Sequence, residues 1–321
     1  MVGAANELPP KTSGGRRMSK LQLYKADLIK NRYIYLMAIP VLAYYLIFCY
    51  YPIYGAQIAF KDFAPGKGIW GSPWAGFKHF ENFFTSMYFG RTLRNTLMIS
   101  LETLIFVFPS AIILALLLNE LRCKAFKSFV QTVSYLPHFI SIVVICSMIR
   151  DFTSSTGVIS KLISRLTGSP AQSLLLFPKN FRAIYIISQI WQTIGWNSII
   201  YMAAIAGIDP NLYDAAVVDG AGRFRRMLNV TLPSLAPTIT ILFILQVGKM
   251  MNVGYEKIIL LYNSNIYETA DVISTYVYRK GLLELNYSYS TAVGLFNSVV
   301  NFALVAAANY FSGKINETSL W

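Results

Sequence analysis

The segment YDAAVVDGAGRFRRMLNVTLP, from Tyr213 to Pro233, is a polar, glycine-broken stretch between two long apolar runs. It contains three arginines, two glycines and, counting Asp209 just before it, three aspartates, but no obvious catalytic group. Charges of this density are costly inside lipid. We therefore expect residues 209–233 to lie outside the bilayer, between two membrane-spanning helices.

Local signals predict a short helix at the start of this stretch. Asp209 is a good N-cap, and Pro210 suits the first helical position. Gly220 and Gly222 are expected to end the helix, because glycine adopts the left-handed closing conformation without strain.

The rest of the stretch is predicted to form a second turn at 223–229, before a new helix starts at Thr231 and Pro233. Small residues on the first helix, such as Ala215 and Ala216, permit close approach of another protein, and nearby charges would guide it. The residues alone fit equally well a solvated loop held against anionic lipid.

The composition indicates a membrane protein. Of the 321 residues, 55% are hydrophobic and 13% charged, whereas soluble domains carry roughly 25% charged residues. The net charge of +13 comes from lysines and arginines that flank the apolar runs, as in positive-inside anchoring, and does not indicate nucleic-acid binding. Three cysteines without CxxC spacing and two histidines give no metal-ligand pattern.

Six apolar runs approach the length of about 20 residues that a membrane-spanning helix needs. They cover residues 33–54, 94–118, 129–149, 183–206, 235–253 and 290–311. Seven lysines and arginines in the first 32 residues place the N-terminus in the cytoplasm. Six crossings then bring both termini and residues 209–233 to the cytoplasmic side. The prediction is an all-α integral membrane protein with six transmembrane helices.

The predicted organisation has four parts. A basic cytoplasmic tail, 1–32, precedes a first helix and an aromatic outer loop, 33–90, which is expected to form a belt at the outer interface. Residues 91–311 form a core of five helices that includes the loop 209–233. Residues 312–321 form a second cytoplasmic tail.

The polar stretch resembles the coupling loop of binding-protein-dependent ABC importers. The family pattern is Glu-Ala-Ala, three residues, Gly, nine residues, an aliphatic residue, any residue and Leu-Pro. The residues at these spacings here are Asp214, Ala215, Ala216, Gly220, Val230, Leu232 and Pro233. Asp214 replaces the usual glutamate, which keeps the charge but shortens its reach by one methylene.

The resemblance covers residues 25–315. Short segments outside the loop are similar to the oligosaccharide and polysaccharide branch of sugar-importer permeases, and within that branch to an alginate-type importer permease. They are YPIYG at 51–55, NT at 95–96, ALLLNE at 115–120, YLPHFIS at 135–141 and IGWN at 194–197.

The resemblance implies the type I ABC importer permease fold, with a cytoplasmic coupling helix between spans four and five, in the bacterial inner membrane. The implied partners are a second, different permease subunit, two cytoplasmic ATPase subunits, an extracytoplasmic solute-binding protein and an oligosaccharide or polysaccharide, for instance the uronate polymer alginate. The chain has no G-x-x-x-x-G-K-[ST] motif, so it is expected to be a non-catalytic subunit without a cofactor, and ATP and Mg²⁺ bind the ATPase. The residues implied to couple to the ATPase are Tyr213, Asp214, Ala215, Ala216, Asp219, Gly220, Arg223, Arg225 and Pro233.

Two spans carry residues suited to a sugar path, because pockets combine apolar walls, aromatic ones included, with a few placed polar groups. They are Gln189, Trp191, Gln192, Trp196, Asn197 and Tyr201 in the fourth span, and Gln246, Lys249 and Asn252 in the fifth. The fifth-span residues, spaced by three, are expected to share one helical face. Lys249 is either a counter-charge for an anionic sugar or a structural lysine, which snorkels to an end of the span or pairs with a carboxylate such as Glu102. His138 either lines a polar path or packs between helices.

Other functions fit parts of the sequence. A secondary transporter or channel would give the coupling motif no role and would show inverted repeats, none of which is clear. A membrane-embedded glycosyl-transfer enzyme would need converging acidic groups or histidines, whereas the 15 acidic residues are scattered. A purely structural subunit of a heterodimer is the third alternative.

Overall fold

The computed structural model describes Tyr24 and residues 27–316, with side chains through Lys314. In these residues all the regular secondary structure is helical, which confirms the predicted all-α class. The chain divides into two units, Met1–Gln57 and Ile58–Trp321. Most of the predicted tail 1–32 and the end of the predicted tail 312–321 lie outside the described residues.

The first unit is dominated by helix α1, Arg32–Tyr44, which a π-helical turn, Tyr45–Tyr50, and a 3-10 segment starting at Tyr51 extend. No residue of α1 or of the π turn is buried, and apolar side chains such as Leu46 and Phe48 are more than half exposed. A helix that exposes apolar side chains in this way is suited to lipid.

The second unit holds the remaining helices. Besides short single turns such as Gly68–Gly71 and Tyr267–Ala270, they are α2 (Lys78–Phe84), α3 (Met87–Glu102), α4 (Phe108–Glu120), α5 (Lys124–Tyr135), α6 (Ile142–Thr153), α7 (Val158–Thr167), α8 (Pro178–Ala206), α9 (Pro210–Val218), α10 (Arg223–Arg226), α11 (Ala236–Val247), α12 (Tyr255–Leu261), α13 (Ile273–Tyr278) and α14 (Tyr287–Asn316). A π turn, Thr103–Val107, joins α3 to α4. Another, Met227–Thr231, carries α10 on to Ser234.

Among the described residues, four helical runs are long and apolar enough to cross a membrane: Arg32–Phe60, Met87–Glu120, Ile142–Thr167 and Tyr287–Lys314. The bent pair Arg223–Ser234 and Ala236–Val247, which meet at 59°, adds a fifth if it counts as one span. Helix α8, with 29 residues, is long enough but is not among these runs, because its amides lower its hydropathy.

The predicted span 129–149 is wrong as one continuous helix. Helix α5 ends at Tyr135, a 3-10 turn occupies Leu136–Phe139, and α6 starts only at Ile142. Pro137 explains the break, because proline lacks an N–H to continue the helical ladder.

Three buried clusters hold the second unit together. One joins α3, α6, α8 and α12 around residues such as Ile145 and Phe181, and another joins α4, α8 and the start of α11 around Ala115 and Tyr201. The third contains Phe83, which is fully buried. The aromatic outer loop is therefore not only an interfacial belt, since Phe83 anchors it to the core.

A buried ion cluster fixes the segment before α14. Asp271 is fully buried, and its carboxylate pairs with Arg279 at 2.7 Å and Arg91 at 3.5 Å. Burial acts to lower the pKa of the Arg279 guanidinium, but hydrogen bonding to Asp271 and its charge outweigh this and raise the pKa above its ordinary value. Asn95 on α3 donates to the backbone oxygen of Asp271 at 3.0 Å and ties the cluster to the long helices.

Candidate functional site

Helix α9 begins as its sequence predicts. The Asp209 carboxylate accepts a hydrogen bond from the Asn211 N–H at 3.0 Å, and Pro210 occupies the first helical position. This cap satisfies one of the donors that a helix start leaves free. The helix therefore starts at a defined residue directly after the long helix α8.

Gly220 closes α9. Its φ is +73°, and the Ala221 N–H donates to the Ala216 carbonyl at 2.8 Å, as in a Schellman closure. Gly222 was also expected to end this helix, and that prediction is wrong. Its backbone is extended, with φ −65°, and it forms the N-cap of α10.

A single side-chain contact ties α9 to the helix that follows. The Tyr213 hydroxyl and the Thr231 hydroxyl lie 3.0 Å apart, and Thr231 is buried. The prediction that a new helix starts at Thr231 and Pro233 is wrong, because the helical run extends from Arg223 to Ser234. Thr231 lies within this run, and its contact with Tyr213 anchors α9 to it.

The outer face of the loop is both apolar and charged. Val218 is 87% exposed, and Leu212, Val217 and Phe224 are also exposed. Asp214, Ala215, Asp219, Arg223, Arg225 and Pro233 are exposed as well, while Ala216 is half-buried. Within the described residues, no carboxylate of this loop forms an ion pair within 4.0 Å. These charges are therefore available to a partner.

The candidate sugar-path residues of the fourth span are on α8, but they do not converge. Gln189, Gln192 and Trp196 share one face, whereas Trp191 lines a largely apolar groove of about 870 Å³ among α6, α7 and α8. Tyr201 is buried in the core beside α4, and Asn197 is exposed. Only the first three form one surface.

His138 stacks on Trp196, with ring centroids 4.3 Å apart and planes 4° apart. Trp196 is 42% exposed, so one side of the pair is open. The contact packs the 3-10 turn after α5 against α8, in agreement with the helix-packing alternative for His138.

Sequence reasoning missed Lys257, the charged residue that contacts this face. Its ammonium donates to the amide oxygens of Gln189, at 3.0 Å, and Gln192, at 3.4 Å. It also lies 5.4 Å from the centre of the Tyr185 ring and is only 3% exposed. The sequence did contain a signal for this residue, because Lys257 is a charged side chain inside the largely apolar run YEKIILL.

The predicted face of Gln246, Lys249 and Asn252 is wrong. Helix α11 ends at Val247, and Lys249 lies in an exposed turn. Asn252 accepts a hydrogen bond from Asn297 of α14 at 2.9 Å. The alternative that pairs Lys249 with Glu102 is also wrong, because Glu102 pairs with Arg182 at 3.8 Å.

Residues 83–317 match the family described as the binding-protein-dependent transport system inner membrane component. The match covers more than half of the chain, and the chain belongs to this family. It is thus a non-catalytic, multi-pass permease subunit of an ABC importer of the bacterial inner membrane, in a class whose ATP is handled by partner ATPase subunits.

Known relatives agree over nearly the whole length. Protein LplB of Bacillus subtilis (strain 168) is 46% identical over 299 residues, which are 93% of this chain and 94% of LplB. The polygalacturonan/rhamnogalacturonan transport system permease protein YteP of the same organism is 44% identical over 92% of both chains.

A solved structure shows the same fold. It is a bacterial alginate ABC transporter in complex with an alginate pentasaccharide-bound periplasmic protein. One of its chains has a TM-score of 0.86 to this chain and 43% identity, over 93% of this chain and 100% of that chain. The resemblance to sugar-branch permeases, first seen in the sequence motifs, is confirmed.

Proposed function

We propose that this chain forms half of the translocation pathway of an ATP-driven importer for acidic oligosaccharides or polysaccharides, with uronate units as in alginate or polygalacturonan. The observation that carries the proposal is helix α9, a capped and anchored helix with an unpaired, apolar and charged outer face. The names of YteP and of the alginate transporter support the substrate class.

We assign six crossings to this permease half. They are α1, α3 with α4, α5 with α6 as a broken crossing, α8, α11 with the turn that follows it, and α14. Helix α8 is polar because it borders the pathway and not lipid alone. With both termini in the cytoplasm, α9 follows the fourth crossing on the cytoplasmic side.

The proposed partners are those that membership of the importer family implies. A second, different permease subunit completes the pathway, two ATPase subunits bind ATP and Mg²⁺ below the two permeases, and a solute-binding protein delivers the sugar from outside. The exposed charges on α9, at its C-cap and on α10 contact one ATPase, and they are Asp214, Asp219, Arg223 and Arg225.

The test is reconstitution of the complete importer in proteoliposomes. We expect uptake of a labelled oligogalacturonate to require the ATPase, the binding protein and ATP. Asp214→Lys should leave the basal ATPase rate intact but lower uptake, because it reverses a charge on the docking face. Glu81→Lys is the matched control, because Glu81 is an exposed carboxylate of the outer loop and forms no ion pair within 4.0 Å among the described residues. Uptake by the permeases without the ATPase would instead support the secondary transporter or channel.

A further inference from the structure

Lys257 is a buried cation without a counter-ion. Among the described residues no carboxylate lies within 4.0 Å of its ammonium, which has only the amide oxygens of Gln189 and Gln192 and the Tyr185 ring as partners. Arg279, another well-covered cation of the unit, is paired with Asp271, whereas Lys61, 9% exposed, donates to the Ile69 carbonyl oxygen at 2.7 Å. A buried charge without a partner of opposite sign is destabilising. Its presence therefore needs a reason beyond stability.

The position of Lys257 is fixed by contacts from two sides. Helix α12 starts directly after Gly254, whose φ is +52°, and a Cβ on this glycine would overlap the Tyr185 hydroxyl of α8. Glycine thus lets α12 approach α8 closely. On the other side, the Cys146 thiol of α6 lies 3.9 Å from the Lys257 carbonyl oxygen.

The groups beside the ammonium, together with Trp196 further along the same face of α8, match the parts of an acidic sugar. Tyr185, Gln189, Gln192 and Trp196 follow each other on one face of α8 at intervals of four, three and four residues. An ammonium pairs with a carboxylate, amides pair with hydroxyls, and a half-exposed indole offers a face for a sugar ring.

We propose that Lys257, with Gln189 and Gln192, forms a subsite that binds the carboxylate of one uronate unit as the substrate passes α8. The inference rests on the proposed function, because it names the group that recognises the acidic substrate. The two amide oxygens accept hydrogen bonds from the ammonium, and an entering carboxylate would replace at least one of them.

The experiment uses the complete reconstituted importer and two labelled probes of equal length, an oligogalacturonate and its methyl ester. Each is presented with the binding protein saturated, so that delivery is equal. We expect Lys257→Met to lower uptake of the acid about tenfold and to change uptake of the ester less than about twofold, since only the acid uses the charge. Lys257→Arg should retain most acid uptake. Lys161→Met, at an exposed position on α7, is the control and should change neither.

The possible outcomes distinguish a substrate-binding role of Lys257 from a purely structural one. Equal loss for both probes would show that Lys257 only holds α12 to α8, and no loss for either would also overturn the subsite. If the wild-type importer does not transport the ester, uptake of the acid alone tests the subsite. In that case Lys257→Gln must lose acid uptake, whereas Lys257→Arg must retain it. If the wild-type importer transports the ester but not the acid, the proposed substrate class is wrong, and the proposed subsite is then wrong as well.

Discussion

Asp271 has the most completely buried charge in the described part of the chain, and its two arginines determine what it does. The carboxylate lies between Arg279 and Arg91, and Thr275 donates a third hydrogen bond at 3.0 Å. The attraction within such a cluster offsets the desolvation free energy of the buried charges only while every member is present. It connects α3 with the segment before α14, and it thereby orders the outer end of the core.

Asp271→Asn should therefore destabilise the protein by about 3–5 kcal/mol, because two guanidinium groups lose their counter-charge in a buried site. The measurement is thermal or denaturant unfolding of the purified importer in detergent. Glu284→Gln is the matched control, because Glu284 forms an exposed i,i+4 pair with Lys280 and should contribute little. Equal unfolding midpoints for Asp271→Asn and wild type would contradict this account.

Lys249 and Lys257 show where residue-level prediction from sequence stops. Periodicity placed Lys249 on a helical face, but the Gly248 carbonyl accepts a hydrogen bond from Asn301 of α14 at 2.7 Å in the turn that ends α11. That contact joins residues 53 positions apart, so no local pattern reports it. Lys257 lay inside an apolar run, a signal that the sequence did contain.

At the scale of elements, local chemistry determined α9 and long-range contact determined the crossing of α5 and α8. The cap at Asp209 and the closure at Gly220 involve neighbours within five residues, and both were predicted from sequence. Gly195 of α8 is different, because a Cβ there would overlap the Ser134 backbone of α5. The need for glycine at this position is visible only once the two helices are placed.

Gly195→Ala should cost about 1–3 kcal/mol, because α5 and α8 must separate to admit the methyl group. The measurement is again unfolding of the purified importer. Gly294→Ala is the control, since a methyl group added to this α14 glycine would have nothing within 4 Å and alanine favours helix. If both substitutions had the same effect on stability, the close approach at Gly195 would not matter.

Gly220→Val should uncouple ATP hydrolysis from transport. A β-branched residue at φ +73° is strained by about 1–3 kcal/mol, so α9 loses its closure and its outer face shifts. We expect sugar imported per ATP to fall about tenfold while the ATPase continues to turn over. Gly222→Ala is the paired control, because that backbone is extended and nothing lies within 4 Å of an added methyl. The same loss in both variants would exclude a specific role for the closure.

For the whole molecule, composition and the motif at 214–233 were sufficient to predict an all-α membrane permease, and the family match agrees. The number of membrane crossings was harder to predict from the sequence. Helix α8 is less apolar than a lipid-facing span, and a break near Pro137 divides another. The two departures have different physical causes, since amide side chains lower the hydropathy of α8, whereas Pro137 lacks the N–H that would continue the helix.

The six-crossing assignment predicts opposite accessibility for two exposed positions. In a variant without the three native cysteines, Val218→Cys should react with a membrane-impermeant maleimide only from the cytoplasmic side. Ser169→Cys, in the exposed segment after α7, should react only from outside. Adding the ATPase should protect Val218→Cys and leave Ser169→Cys reactive, because only α9 becomes covered. Labelling of both positions from one side would overturn the topology, whereas unchanged labelling of Val218→Cys with ATPase bound would overturn the docking role of α9.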